Sequence, residues 1–178
     1  MNDASEPPRE PSDLDVEAFW IRARTVGRLN PLEVVVGQDD SSSLRPPTFS
    51  FGATREQADR LCQLVCDGVK TATSGWFDSF EREAIPLPRV GELAILCDGQ
   101  GNPRALIRET AIRYIPFDDV GPDVAQAEGE GTFEEWLDTH EQFFRDECAT
   151  LGLTFNPHGD VVVEYFETLY CAPDIPKR

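Results

Sequence analysis

Residues 67–76 read DGVKTATSGW, so a single lysine, Lys70, is followed within four positions by three hydroxyls, Thr71, Thr73 and Ser74. A lysine held in a partly desolvated pocket can activate a hydroxyl or bind an anionic group. The spacing carries a geometric condition. In a flat strand Lys70 points with Ala72 and Ser74, and Thr71 and Thr73 point the other way. Lys70 and Thr73 meet only if the backbone turns between them. A surface lysine following a helix C-terminus, where positive charge suits the dipole, is the plainer account of the same spacing.

A second candidate lies in AEGEG, which carries Glu128 and Glu130. Glycines on both sides of Glu130 let the backbone approach a ligand closely, and a carboxylate there could act as general base or hold a ribose or amide group. Two solvated acids ahead of a helix, favoured by its dipole, would look the same. His140 falls on the apolar stripe of a helix and reads as a packed or hydrogen-bonded core histidine. His158, in NPHGD, reads as a turn residue. The aromatics Trp76, Phe77, Phe80 and Tyr114 could stack on a nucleobase, although core packing explains them equally well.

The elements that must carry these residues follow from periodicity. Residues 1–12 are rich in Pro and charge and read as a disordered tail. Val16, Phe19, Trp20 and Ala23 share a helical face over 14–27, and 37–47 reads as a linker. TFSFG is a short strand before Thr54, which with Gln57 forms a capping box for a helix stopping at Gly68. FDSFEREAIPLPRVGE is a loop with a possible helical turn. ELAILCD and RALIRETAIRYI make a hairpin around GQGNP. Thr132 and Glu135 form a second capping box, ahead of a helix with a wide apolar stripe that closes at Gly152. VVVEYFETLY is a last strand. Three helices and five or six mostly antiparallel strands predict an α+β fold, a small mixed β-barrel with flanking helices. One domain spans 13–171, with a tail at 172–178.

Composition bounds the function. The chain has 178 residues and a formal net charge of −17, which argues against coating DNA or RNA nonspecifically. The acidity is concentrated: 117–171 holds 14 acidic residues and one basic, Arg145, whereas 48–116 is near neutral with 9 acidic and 8 basic. A local basic groove in the middle stays open. No apolar run approaches membrane length and the N-terminus is no signal peptide, so the expectation is a cytoplasmic protein with no membrane partner. Cys62, Cys66, Cys97, Cys148 and Cys171 are irregularly spaced and read as buried reduced thiols rather than a metal site or a disulfide. No metal and no cofactor are expected. The oligomeric state is open.

FSFG, DGVKTATSGW, PLPRVGELAILCDGQGNPRALIRETAIRYIPFDDV, AEGEGTFEEWLDTHEQFFRDECATLG and VVVEYFETLY, in this order, resemble the ASCH domain family, in its bacterial branch with an added N-terminal helix. The likeness covers about 14–171, and G-x-K-x-x-T is its hallmark. It implies a PUA-like barrel with a pocket for a nucleoside-like small molecule or RNA. Small family members act as amidohydrolases on acylated cytidines, and others are assigned RNA binding or ribonuclease activity. A non-enzymatic ligand-binding module is a further alternative. By resemblance Thr73 is the nucleophile, Lys70 its activator and Glu130 a base or positioning group. Glu128, Thr71, Ser74, Trp76 and Phe51 complete the expected binding set. Glu128 competes with Glu130 for the carboxylate role. Gly75 stands where many members carry an arginine.

Overall fold

The structure is a computed structural model that describes residues 5–27, 29 and 45–173. Side-chain caps set where its longer helices begin. Ser12 accepts from the Asp15 amide and opens α1, Asp13–Val26. Thr54 and Gln57 form the expected reciprocal capping box at α2, Arg55–Cys66, and Thr132 with Glu135 does the same for α5, Phe133–Leu151. Two shorter helices are α3, Phe77–Arg82, and α4, Pro122–Glu128. The strands are β1 Thr48–Phe49, β2 Ala72–Trp76, β3 Leu93–Cys97, β4 Pro103–Pro116 and β5 Asp160–Cys171. They pair in the order β1-β3-β4-β5-β2, with β1 parallel to β3 and the β3–β4 and β2–β5 pairs antiparallel.

The α+β class with a mixed five-stranded sheet is as the sequence predicts, but the sheet is not closed into a barrel. The TFSFG segment forms only a two-residue strand, too short to build the long edge a barrel seam needs. Among the described residues there are five α-helices where periodicity gave three. The extra ones, α3 and α4, are one to two turns long, too short for a 3.6-residue pattern to register.

The chain divides into two compact units. The first holds 1–68, 93–108 and 168–178. In it Val16, Phe19, Trp20 and Ala23 of α1 bury their apolar face against Ile95, Cys97 and Leu106 of the β3–β4 hairpin. Each large side chain so buried contributes roughly 1.5–3 kcal/mol. Residues 5–12 depart from the disordered tail expected of their composition. The Arg55 amide donates to the Glu6 carbonyl at 2.8 Å, the Arg55 guanidinium meets the Glu6 carboxylate, and the Arg9 amide donates to the Gly99 carbonyl. These contacts satisfy a Pro-rich backbone that has no ladder of its own. Of the expected 37–47 linker, residues 37–44 lie outside the described residues, as do 174–178 of the C-terminal tail.

The second unit holds 69–92 and 109–167. Its core gathers Trp76, Phe117, Val124, Trp136, Phe144, Val161 and Val163, so one face of β2 and β5 is covered by α4 and α5. This face is the one that positions the candidate site.

The expectation of five reduced thiols does not hold. Cys66, at the end of α2, and Cys171, at the end of β5, form a disulfide within the first unit. Irregular spacing hid the pair, because bridged cysteines need only spatial proximity. Cys62, Cys97 and Cys148 are free and buried, and burial pushes the thiols of Cys62 and Cys97 up to about 12, so they are inert. The bridge closes a loop with a sequence separation of 105. Replacing both cysteines by serine is expected to lower unfolding free energy by about 2–4 kcal/mol in urea denaturation, with the fold retained.

Candidate functional site

The end of helix α4 is docked onto the residues that lead into β2. The Thr71 amide donates to the Ala127 carbonyl at 2.7 Å, and the Thr71 hydroxyl donates to the same oxygen at 3.2 Å. Gly129 ends α4 with φ at +68°, and a Cβ there would lie 2.6 Å from Val69 Cγ1 and 2.9 Å from the Val69 carbonyl oxygen. Only glycine permits both the left-handed turn and this close approach. The docking fixes Glu128 and Glu130 over Lys70.

Three polar side chains then converge on one carboxylate. Lys70 Nζ donates to Glu128 Oε2 at 3.0 Å and to Glu130 Oε1 at 2.7 Å. Ser74 Oγ donates to Glu128 Oε1 at 2.5 Å. His140 Nε2 stands 3.5 Å from Glu128 Oε2. His140 is itself held from behind: its Nδ1 lies 3.0 Å from the Trp136 carbonyl oxygen, an acceptor, so Nδ1 carries a hydrogen. Its ring stacks on Trp136 with centroids 4.0 Å apart. Nε2 is thereby the ring nitrogen turned toward Glu128.

Burial decides the character of the cluster. The side chains of Lys70 and Glu128 are each 1% exposed, whereas Glu130 is 16% exposed. Burial alone would push Glu128 up. The hydrogen bond to His140, the charge of Lys70 and the Ser74 hydroxyl outweigh it and hold the carboxyl down at about 2. Lys70 is therefore a buried ammonium between two carboxylates, and Glu130 is the member that reaches toward solvent.

Thr73 is not in this cluster. The ladder pairs Ala72 with Tyr165, Thr73 with Glu164, Ser74 with Val163 and Trp76 with Val161. Ala72, Trp76, Val161 and Val163 all belong to the core under α4 and α5, so Ser74 shares that face and Thr73 lies on the other. Lys70 and Ser74 both reach Glu128, so the backbone makes no turn that would bring Lys70 to Thr73. The other expected residues are placed as follows. Thr71 is exposed and bonded to Ala127. Trp76 is 1% exposed, its ring packed by Phe144 and Phe155, so it is core rather than pocket wall. Phe51 belongs to the first unit, where it meets Phe49 edge-on. At Gly75 a Cβ would stand 3.0 Å from the Phe80 ring, so any side chain here must displace that ring.

His140 is the functional-site residue that sequence reasoning left in the core. Its spacing of four from Trp136 put it on the apolar stripe, and nothing along the chain tied it to Glu128. Among the described residues, no group of three or more His, Cys, Asp or Glu side chains is arranged to hold a metal ion, and no helix is long and apolar enough to cross a membrane.

The ASCH domain family model matches residues 47–170, which holds every residue of the cluster and most of the chain. The chain belongs to the ASCH domain family. Two solved structures are similar to this ASCH protein. A protein of Enterococcus faecalis V583, of family-model DUF984, is 33% identical over 87% of this chain and 88% of its own, with a TM-score of 0.73. An ASCH domain from Lactobacillus crispatus JV V101 is 24% identical over 89% of this chain and 96% of its own, with a TM-score of 0.76, a likeness of fold. No curated protein matches the chain.

Removing one partner from a buried, hydrogen-bonded ion pair leaves an uncompensated charge. Glu128→Gln is therefore expected to destabilise the ASCH protein by about 3–5 kcal/mol in chemical denaturation. The pH dependence follows from the same group. Its folded value of about 2 lies below the ordinary glutamate value of 4.5, so its stabilisation is fully present above pH ~4.5 and is lost as the pH falls toward 2. Acid unfolding followed by circular dichroism should show that limb in the wild type and a flatter one in the variant.

Proposed function

We propose that this ASCH protein recognises a nucleoside-like ligand, free or as a nucleotide of RNA, through the surface around Glu130, by binding and not by a Lys–Thr nucleophile. The observation that carries the reading is the position of Lys70. Its ammonium is engaged by Glu128 and Glu130, and Thr73 lies on the other face of β2. An amine that donates to two carboxylates is no base for a hydroxyl it cannot reach. What remains for Lys70 is to orient Glu130, the partly exposed carboxylate, which can accept from the amino, imino or ribose hydroxyl donors of a nucleoside. A neutral nucleoside needs no basic field, which accords with a chain of net charge −17.

A second reading, amidohydrolysis of an acylated cytidine, is favoured by the same partial exposure of Glu130. A partly exposed carboxylate fixed by an ammonium can take a proton from water as that water attacks the acyl carbon, and return it to N4 as the acyl C–N4 bond breaks, releasing cytidine and the carboxylic acid. This route needs no threonine nucleophile.

Both readings are tested by titrating cytidine, N4-acetylcytidine and a short single-stranded RNA into the protein, and by following cytidine release. Glu130→Gln is expected to weaken binding by about tenfold or more, and Thr73→Val to leave it within about twofold. Release of cytidine that survives Thr73→Val but not Glu130→Gln supports the water route. Loss of activity in Thr73→Val would restore the covalent mechanism, and absence of binding to all three probes would overturn the nucleoside reading.

A further inference from the structure

Strand β2 ends the sheet, with β5 as its one neighbour. In an antiparallel ladder the residues of a strand turn their backbone groups alternately toward the partner strand and away from it. The Phe166 amide donates to the Thr71 carbonyl at 2.9 Å, which fixes the phase. In step with Thr71, Thr73 opposite Glu164 and Gly75 opposite Val162 turn their N–H and C=O toward β5. Ala72 and Ser74 therefore turn theirs the other way, along an edge that no strand flanks among the described residues.

Burial singles out one residue on this edge. Ala72 is 0% exposed, whereas Ser74 is half-buried. The part of the edge a ligand can reach is thus the Ser74 backbone, one donor and one acceptor on the same side. That is too short a run for an added peptide strand, which gains its affinity from several main-chain bonds in succession. It suits a small planar molecule. The same residue is tied to the Lys70 cluster: Ser74 Oγ donates to Glu128 Oε1 at 2.5 Å, and Lys70 Nζ joins Glu128 to the partly exposed Glu130. All of these residues belong to the second unit.

We propose that the Ser74 backbone reads the base of the ligand, its N–H donating to a ring nitrogen and its C=O accepting from the neighbouring exocyclic amino group. This role rests on the nucleoside reading and adds the chemistry the base must carry, an acceptor and a donor side by side on one edge. Cytosine N3 and N4 present that pair on the Watson–Crick edge, which proteins reach when a base is unpaired. The reading groups are main-chain atoms, so the side-chain type at position 74 does not announce them, and the Ser74 hydroxyl stays on Glu128. Selectivity follows from the Ser74 carbonyl. A base with no hydrogen on its exocyclic nitrogen would cover this oxygen without offering it a donor, and a shielded acceptor left unpaired is costly.

The test uses the full chain, amide hydrogen exchange and amide NMR, with cytidine and N4,N4-dimethylcytidine as probes. In the free protein the Ser74 amide should exchange at least about tenfold faster than the Thr73 amide, which faces β5. Saturating cytidine should slow exchange at Ser74 by about tenfold or more and move its amide proton downfield, with the Thr73 amide unchanged. N4,N4-dimethylcytidine keeps N3 but has no hydrogen on N4, and should bind more weakly than cytidine by about tenfold or more. A Ser74 amide as protected as that of Thr73 in the free protein would overturn the proposal, because the edge would then be closed. Cytidine binding that leaves the Ser74 amide unmoved, or that dimethylation of N4 does not weaken, would overturn it while leaving the nucleoside reading at Glu130 in place. Failure of cytidine to bind would also overturn it, and failure of N4-acetylcytidine and RNA as well would remove the nucleoside reading with it.

Discussion

Burying the ammonium of Lys70 is the constraint around which the second unit is organised. A lysine with 1% exposure cannot keep its charge unless the protein supplies acceptors in place of water. Two carboxylates do so, and they arrive from a segment nearly sixty residues away. The segment must be held still for this to work. The short helix α4, its left-handed exit at Gly129 and the bonds from Thr71 to Ala127 hold it. Ser74 and His140 then complete the coordination of Glu128, and Trp136 fixes the His140 ring. The polar cluster and the apolar core beneath α4 and α5 are thus one construction. Loosening the pair loosens the packing.

The same strand shows how alternation separates chemistry. Lys70 and Ser74 face the core and its carboxylate, and Thr73 faces away toward Glu164. The G-x-K-x-x-T motif therefore places its lysine and threonine on opposite faces of β2. On one face the charges are compensated and buried. On the other, Thr73 stands across the ladder from Glu164. The first arrangement stores stability and presents one carboxylate outward.

Much of this was legible along the chain, for reasons that differ by residue. Capping boxes at Thr54 and Thr132 are local chemistry, and both are present where the sequence places them. The β3–β4 hairpin follows from its turn residues, and the α+β class from the mixture of periods. Period-two alternation set the condition, that Lys70 and Thr73 meet only through a turn of the backbone, but the expectation that they act together required a turn the strand does not make. What could not be read was anything decided by distant neighbours. Trp76 beside the motif looked like a pocket wall, yet the rings of Phe144 and Phe155 claim it for the core. His140 looked like core and touches Glu128. The Cys66–Cys171 bridge joins positions whose separation carries no signal. Barrel closure failed on β1, whose two-residue length no propensity announces.

Lys70 is coupled to Glu128 and not to Thr73. Double-mutant cycles on unfolding free energy measure this directly, pairing Lys70→Met with Glu128→Gln and, separately, with Thr73→Val. A coupling of about 2–3 kcal/mol is expected for the first pair and one within about 0.5 kcal/mol of zero for the second. A large coupling between Lys70 and Thr73, with none between Lys70 and Glu128, would contradict it.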